Sequence, residues 1–582
     1  MFTPYRDSGP RIVLLARLAA SCALLGLVAT VVALGFGAVE PSTILLGALL
    51  SLLGPAIALR LARRRRAAEA GLAVPSFVLE SALLVLAGAS LALSSPGLTA
   101  ATCAASHAST LWRTLYATQG GRDRVLSLMG QPTKLLLVSF VCTIALGSLF
   151  LTFPRATTDG DGLTALDATF MATSATCVTG LAVVNSADDD KANPKFQSLT
   201  VFGQVVLLVL VQVGGLGIMT LSAAVVVALG GKLNARSHVA LQSSVEEEHR
   251  HKMERSLGVI LRLTFAIELV GALVLFSRLK PFIGDTGLAL WQSVFTSISA
   301  FNNAGFALFS DNLMQFRGDV VVNLTVMTLI VLGGLGFSVV AVLASRATFR
   351  QPVETLWARW PLQVKVVVPF TLGLIFVGAL LFYYFDFDHS LAGLDLDEKL
   401  LAASFQSVTF RTAGFNTVDL SQISRTTLVV SLILMYIGGS PGGTAGGVKT
   451  TTVALATFSV RSLLLGRDDV EFGDRTLARS LVTRSIAILL VFTAVYVLGV
   501  VGMFMAEPDK SLDALLFEAM SALATVGVSY GITPFCSTAG KIVLILLMFA
   551  GRVGPLSMAL AVGEGDRGRA AVALPEGKLM VG

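Results

Sequence analysis

The chain has 582 residues, of which 54% are hydrophobic and only 14% are charged, and its mean hydropathy is +0.77. Soluble domains carry about 25% charged residues, so this composition excludes a soluble globular protein and indicates a multi-pass integral membrane protein. The net charge of +6 is explained by membrane orientation and does not indicate nucleic-acid binding.

Apolar runs long enough to cross a bilayer recur along the whole chain. Lys and Arg concentrate in every second loop, so we place those loops in the cytoplasm of a cell whose plasma or inner membrane holds the protein. A weaker hairpin of two crossings lies within 74–117. The other predicted spans are 11–37, 43–62, 134–153, 202–229, 257–276, 320–344, 364–385, 424–437, 485–506 and 541–562.

A short unit recurs four times between these spans, although its copies share few identical residues. The copies start at residues 170, 295, 404 and 517, and each leads to a glycine-centred turn. The glycines are 109 to 125 residues apart, and a small residue stands five positions before each one. The turns are Val178, Thr179 and Gly180; Asn303, Ala304 and Gly305; Thr412, Ala413 and Gly414; and Thr525, Val526 and Gly527.

Each copy is too short to span the bilayer, so we predict a half helix that enters from the outside and returns as an extended stretch. Non-helical backbone at membrane depth must be buried in protein or line a watery cavity, and four such stretches imply one shared cavity. Glycine leaves the backbone carbonyls accessible, and a ring of carbonyl oxygens replaces the hydration shell of a cation. The alternative interpretation is four ordinary tight turns between helices.

These patterns predict an all-α integral membrane protein with four helix, half-helix, helix units around a pseudo-fourfold pore. Extra transmembrane helices precede the units. The predicted divisions are 1–130 for the N-terminal helices, 131–230 for unit 1, 231–345 for unit 2, 346–466 for unit 3 and 467–582 for unit 4 with the tail.

Unit 3 contains a glycine-rich stretch at 438–452 that ends in Lys449 and Thr450. It has the glycine spacing of a phosphate-binding loop, but Val448 separates Gly447 from Lys449 and no predicted strand precedes it. Glycine and proline are unfavourable inside a helix, so the third helix of this unit must break in mid-membrane. We interpret the stretch, which we call the intramembrane loop, as a movable gate on the cytoplasmic side of the cavity.

Several motifs resemble the Trk/Ktr/HKT superfamily of potassium transporters, and in particular the membrane subunits of Ktr systems. Besides the four turns they are "QPTKLLL", "FRTAGFNT", "IGGSPGGTAGGVKTTT", "GRVGPLS" and "PEGKLMVG". The resemblance covers about residues 131–582. The first 130 residues are longer than in typical Ktr subunits, and Trk-type relatives carry two extra helices there, so the choice between Ktr and Trk stays open.

The resemblance implies potassium as substrate, sodium as an activator and no cofactor in this chain. It implies a homodimer with one pore per protomer and a KtrA-like cytosolic nucleotide-binding regulatory subunit. The four turns, here called filter segments, then bind potassium, and the glycine at position 180 favours potassium over sodium. The implied gate residues are Gly442, Gly443, Thr444, Ala445, Gly446, Gly447, Lys449 and, facing them, Arg552.

Ionisable residues inside spans are expensive and therefore indicate function or a specific partner. We predict that Arg411 and Glu518 pair behind the filter and support it, because buried charges need partners. For Glu268 we expect a structural partner and not ion binding. His249 and His251 do not share a helix face, so we expect a solvated cytoplasmic helix and no metal site.

Three alternatives to gated potassium conduction follow from the same residues. A sodium-selective member of the same architecture differs only in the ion. A membrane ATPase would explain Lys449 and Thr450 but requires a phosphate-loop register that is missing. A coupled secondary transporter would require inverted repeats, whereas all four half helices enter from one side. We therefore expect a transporter and not an enzyme.

Overall fold

The computed structural model describes residues 132–184, 198–217, 253–344, 360–467, 469–472 and 475–554. The predicted N-terminal helices in 1–130, His249 and His251, and the tail after 554 lie outside the described residues. The regular secondary structure of the described part is helical, apart from two isolated bridges and one antiparallel hairpin. In that hairpin, β1 (Val470–Phe472) pairs with β2 (Arg475–Leu477). The predicted helical architecture is therefore confirmed for this part of the chain.

The helices follow the predicted order of long helix, half helix and third helix in each unit. In chain order they are α1 (Pro132–Leu151), α2 (Ala165–Thr176), α3 (Val201–Leu216), α4 (Met253–Ile283), α5 (Thr286–Phe301), α6 (Val320–Gly334), α7 (Phe337–Leu343), α8 (Leu362–Asp386), α9 (Leu396–Thr409), α10 (Arg425–Tyr436), α11 (Thr450–Leu464), α12 (Arg479–Ala506), α13 (Leu512–Leu523) and α14 (Thr538–Val553).

Every half helix and every third helix begins at a Ser, Thr or Asp, the residues that satisfy unpaired amides at a helix start. Seven of these eight N-cap side chains accept a hydrogen bond from the first helical turn, and Asp395 is the exception. The half helices, α2, α5, α9 and α13, have 12 to 16 residues. At 1.5 Å per residue they are shorter than the roughly 30 Å hydrocarbon core.

Three described helical segments are long and apolar enough to span a membrane: Ile260–Ile283, Leu362–Asp386 and Arg479–Ala506. The span predicted at 320–344 is not one straight helix, because the chain direction changes by 114° between α6 and α7. The bend falls at Gly336, whose φ of +91° lies outside the helical region.

The four units contact one another in a repeating way. The third helix of each unit packs against the half helix of the next: α3 against α5, α6 against α9, and α10 against α13. Helix α14 of unit 4 packs against α2 of unit 1, so the chain of contacts closes. The half helices and filter segments therefore lie inside, and the long helices expose large apolar side chains such as Phe376 and Leu490 outwards.

Ion pairs join three of these four contacts near the starts of the half helices. In each, an acid in the first turn of a half helix meets a base at or just before the start of the preceding unit's third helix. The pairs are Lys541 with Asp167 at 2.6 Å, Arg425 with Asp513 at 3.2 Å, and Arg317 with Glu398 at 3.7 Å. An acidic side chain at a helix N-terminus also interacts favourably with the helix dipole.

Candidate ion pathway and gate

The four filter segments adopt the same backbone conformation. The first residue of each has a positive φ although none is a glycine, and the glycine that ends each segment also has a positive φ. The middle residue of each segment does not have a positive φ. These angles are 57° and 97° for Val178 and Gly180, 60° and 73° for Asn303 and Gly305, 72° and 80° for Thr412 and Gly414, and 50° and 93° for Thr525 and Gly527. A β-branched residue at positive φ is strained, so the surrounding fold must impose this conformation.

The four glycines leave no room for a side chain, because each faces the backbone of a neighbouring unit. A Cβ atom on Gly180 would lie less than 3.0 Å from the carbonyl oxygen of Ala304, and one on Gly305 would meet that of Ala413. Gly414 faces the carbonyl of Val526 in the same way, and Gly527 faces that of Thr179. The contacts thus run from each unit to the next and close between units 4 and 1.

The intramembrane loop packs directly against three of the filter segments. The hydroxyl of Thr444 donates to the Oδ1 atom of Asn303 at 2.9 Å and to the carbonyl of Phe301 at 3.2 Å. The amide of Gly446 donates to Oγ1 of Thr412 at 3.1 Å. A Cβ atom on Gly446 would overlap Oγ1 of Thr525. The loop therefore occupies the space next to the first residue of the segments in units 2, 3 and 4.

Backbone hydrogen bonds attach the same loop to the bent helix of unit 2. The amides of Ser440 and Thr444 donate to the carbonyls of Gly334 and Gly333, at 2.8 and 3.1 Å. The amide of Phe337 donates to the carbonyl of Gly442 at 3.1 Å. Thr444 and Ala445 are at most 1% exposed, so the tip of the loop is enclosed by protein.

Three basic side chains hold loop carbonyls. Arg552 of α14 donates to the carbonyl of Thr444 and to that of Gly214 in unit 1, both at 2.5 Å. Arg411 donates to the carbonyl of Gly438 at 2.8 Å, and Lys449 donates to that of Ala445 at 2.7 Å. Helix α10 precedes the loop where a phosphate-binding loop would require a strand.

The sequence matches the TrkH family, described as "Cation transport protein", over residues 138–566. The chain belongs to this family of cation transport proteins. The Ktr system potassium uptake protein B of Bacillus subtilis strain 168 is 34% identical over 464 residues, which cover 79% of this chain and 99% of that protein. The protein of the same name from Vibrio alginolyticus is 35% identical over 454 residues, covering 76% and 93%.

A solved structure shares the fold of this family member. It is described as the potassium transporter TrkH from Vibrio parahaemolyticus and matches with a TM-score of 0.60 at 16% identity, covering 95% of this chain and 99% of that one. The family match and the two relatives together confirm the predicted resemblance to the Trk/Ktr superfamily. Since the family is one of transport proteins, the expectation that the chain is not an enzyme is confirmed as well.

The predicted pair of Arg411 and Glu518 is wrong, because each has other partners. Arg411 donates to backbone carbonyls of Gly438 and, at 3.5 Å, of Thr371. Glu518 accepts from the hydroxyls of Ser529 and Thr533 and from the amide of Tyr530. The third helix of unit 3 ends before Gly438, and the carbonyl of Gly438 accepts from the guanidinium in place of the predicted carboxylate.

Glu268 has structural partners, as expected. Its carboxylate accepts from the side-chain amides of Gln212 at 3.1 Å and Asn302 at 3.2 Å. Its backbone carbonyl accepts from the hydroxyl of Ser297. Among the described residues, no three His, Cys, Asp or Glu side chains are grouped so that they would hold a metal ion.

Sequence reasoning missed the hydroxyl groups that fix the filter segments. Ser174 and Ser521 each accept from the amide of the filter glycine six residues later, both at 3.1 Å. Ser299, at the same offset from its glycine, donates to the carbonyl of Phe306, and Thr409 donates to that of Phe415. The sequence does carry a signal for these hydroxyls, because a serine stands six positions before the glycine in three of the four copies.

Proposed function

We propose that this family member conducts potassium ions into the cell as the ion-translocating membrane subunit of a Ktr-type system. The four filter segments form the selectivity filter of a pseudo-fourfold pore, and potassium binds at their residues. The two relatives that are 34% and 35% identical are potassium uptake proteins, which supports potassium as the ion. Sodium is an activator in this proposal.

The observation that carries the proposal is the closed cycle of filter contacts. In each unit a middle-residue carbonyl lies against the glycine of a neighbouring unit, so peptide oxygens from all four units converge on one region. The C-terminal ends of the half helices, which carry partial negative charge, end beside the same segments. This arrangement supports stabilisation of a dehydrated cation by oxygens, with no side chain in the way.

The intramembrane loop is the gate in this proposal. It fills the space next to three filter segments and is held there by Arg552, Arg411 and hydrogen bonds to unit 2. Conduction then requires the loop to move aside. Residues 442–447, Lys449 and Arg552 are the gate residues that we assign.

The assembly is proposed from the resemblance to Ktr systems. The chain forms a homodimer with one pore per protomer in the plasma or inner membrane, which it crosses several times. A cytosolic nucleotide-binding regulatory subunit binds from the cytoplasmic side and biases the gate.

The test is ion flux into liposomes that contain the purified full chain alone. Parallel uptake of radioactive rubidium, which substitutes for potassium, and of radioactive sodium is measured against protein-free vesicles. We expect rubidium uptake to exceed sodium uptake. Sodium uptake above rubidium uptake would reverse the ion assignment, and neither above the protein-free level would reject conduction.

A further inference from the structure

The first residues of the filter segments differ although their backbones match. Val178, Asn303, Thr412 and Thr525 all have a φ between 50° and 72°. Since carbonyl oxygens do the work of selection, nothing in the filter itself explains an apolar residue in unit 1 and polar residues in the other three. The identity of these side chains must be set by what each one contacts.

Two of the three polar residues hydrogen-bond to the loop. Asn303 accepts from the hydroxyl of Thr444, and Thr412 accepts from the amide of Gly446, so two polar filter side chains hydrogen-bond to the loop. Val178 instead packs beside Gly214, where a Cβ atom would lie 3.1 Å from its methyl group. Thr525 packs against Gly446 of the loop without a hydrogen bond to it. The loop therefore contacts all three polar residues and hydrogen-bonds two of them, Asn303 and Thr412.

We infer that Asn303 and Thr412 are positioning residues that latch the intramembrane loop in its closed position. This inference rests on the proposed function, since it assigns to filter residues a second task in closing the pore. Both side chains and Thr444 are at most 1% exposed, so the bonds are shielded from water while the loop is in place. When the loop leaves, the two acceptors lose their protein partners and must be hydrated.

The two bonds differ in weight. Thr412 is the described side-chain acceptor for the Gly446 amide, so losing its hydroxyl leaves a buried amide unpaired. The hydroxyl of Thr444 also reaches the carbonyl of Phe301, so losing the Asn303 amide leaves it a second acceptor. We therefore expect Thr412 to contribute more to latching than Asn303 does.

The decisive variant is Thr412→Val, which keeps the shape of the side chain and removes the acceptor. Val178 shows that valine fits this conformation. We expect basal rubidium flux into liposomes to rise roughly two- to tenfold, the factor that one neutral hydrogen bond contributes, with the preference for rubidium over sodium retained. Thr412→Ser restores an acceptor and should bring the flux back toward that of the wild type.

The matched control is Thr417→Val, which makes the same change at a buried threonine of the same unit. The Thr417 hydroxyl is buried and has no hydrogen-bond partner among the described residues, so no described bond is lost and the flux should stay at the wild-type level. If the wild type conducts rubidium and the Thr412→Val variant conducts it at the same rate, the latch is overturned and the proposed function is not. A wild-type chain that carries no rubidium would instead reject the proposed function.

A double-mutant cycle tests Asn303 separately. Asn303→Val and Thr444→Val should each raise basal flux. Since both remove the same bond, the fold-increase in the double variant should be smaller than the product of the two single fold-increases. Fully multiplicative effects would show that the two residues act independently and would overturn the assignment of Asn303.

Discussion

The filter segments and the intramembrane loop are both irregular backbone enclosed by protein, yet they are built in opposite ways. The filter uses one conformation four times, with positive φ at the first residue and at the glycine of each segment. The loop occurs once, and its hydrogen bonds go to units 2 and 3 and, through Arg552, to units 4 and 1. Repetition brings four equivalent carbonyls together, whereas the single loop fills the space beside three of the four segments.

The third helices show how the loop relates to the other units. Helices α3 and α14 end, and α6 gives way to α7, at a positive-φ glycine: Gly217, Gly554 and Gly336. In unit 3 the loop from 438 to 449 stands at the corresponding place between α10 and α11. A positive-φ glycine thus ends the described third helix in units 1, 2 and 4, and unit 3 has the intramembrane loop at that place.

The largest effect should come from closing the filter with one methyl group. A Cβ atom on Gly527 overlaps the carbonyl oxygen of Thr179, so Gly527→Ala should reduce rubidium uptake to less than about a tenth of the wild-type value. Gly531 is the control, because its φ of +92° matches the +93° of Gly527 while nothing lies within 4 Å of an added Cβ. Gly531→Ala should retain most uptake. Equal losses in both variants would assign the effect to backbone strain and not to the filter.

Shortening the loop should act in the opposite direction. Deleting 443–446 removes the bonds of Thr444 and Gly446 to units 2 and 3 and frees Arg552 from the Thr444 carbonyl. At about 1 kcal/mol per bond, basal rubidium flux in liposomes should rise at least about tenfold. The preference for rubidium over sodium should persist, because the four segments are untouched. Unchanged flux would reject the gate, and lost selectivity would show that the loop is part of the filter.

A smaller effect separates the two buried charges. Arg411→Gln weakens the hold on the Gly438 carbonyl and should raise basal flux severalfold, while Glu518→Gln weakens the anchor of the segment after the unit 4 filter and should lower uptake severalfold. Arg411 and Glu518 share no described partner. The fold-change of flux in the double variant should therefore equal the product of the two single fold-changes to within about a factor of two. A double variant that departs further from additivity would restore a direct coupling between them.

The sequence predicted the repeated part of the molecule better than the single part. The glycine spacing and the small residue at minus five recur in all four copies, so the half helices and filter segments could be placed from the repeat alone. The partners of Arg411 and Glu518 could not. The Gly438 carbonyl that accepts from Arg411 is available only because α10 ends before it, and Glu518 accepts from hydroxyls and an amide of the segment after the unit 4 filter. The bend at Gly336 was missed for a similar reason, since an apolar run with one Gly-Leu-Gly motif is typical of a continuous span.

The smallest test addresses how the units are joined. The Lys541 and Asp167 side chains are only 15% and 19% exposed and link unit 4 to unit 1, whereas Arg425, paired with Asp513 between units 3 and 4, is 92% exposed. Lys541→Met leaves a partly buried carboxylate without its cation, at a cost of roughly 1–2 kcal/mol, and should lower the melting temperature in detergent by about 1–3 °C. Arg425→Met should change it by less than about 1 °C, because an exposed ion pair contributes little. Equal shifts would mean that the two ion pairs contribute equally to stability, and that the deeper burial of the pair between units 4 and 1 has no effect.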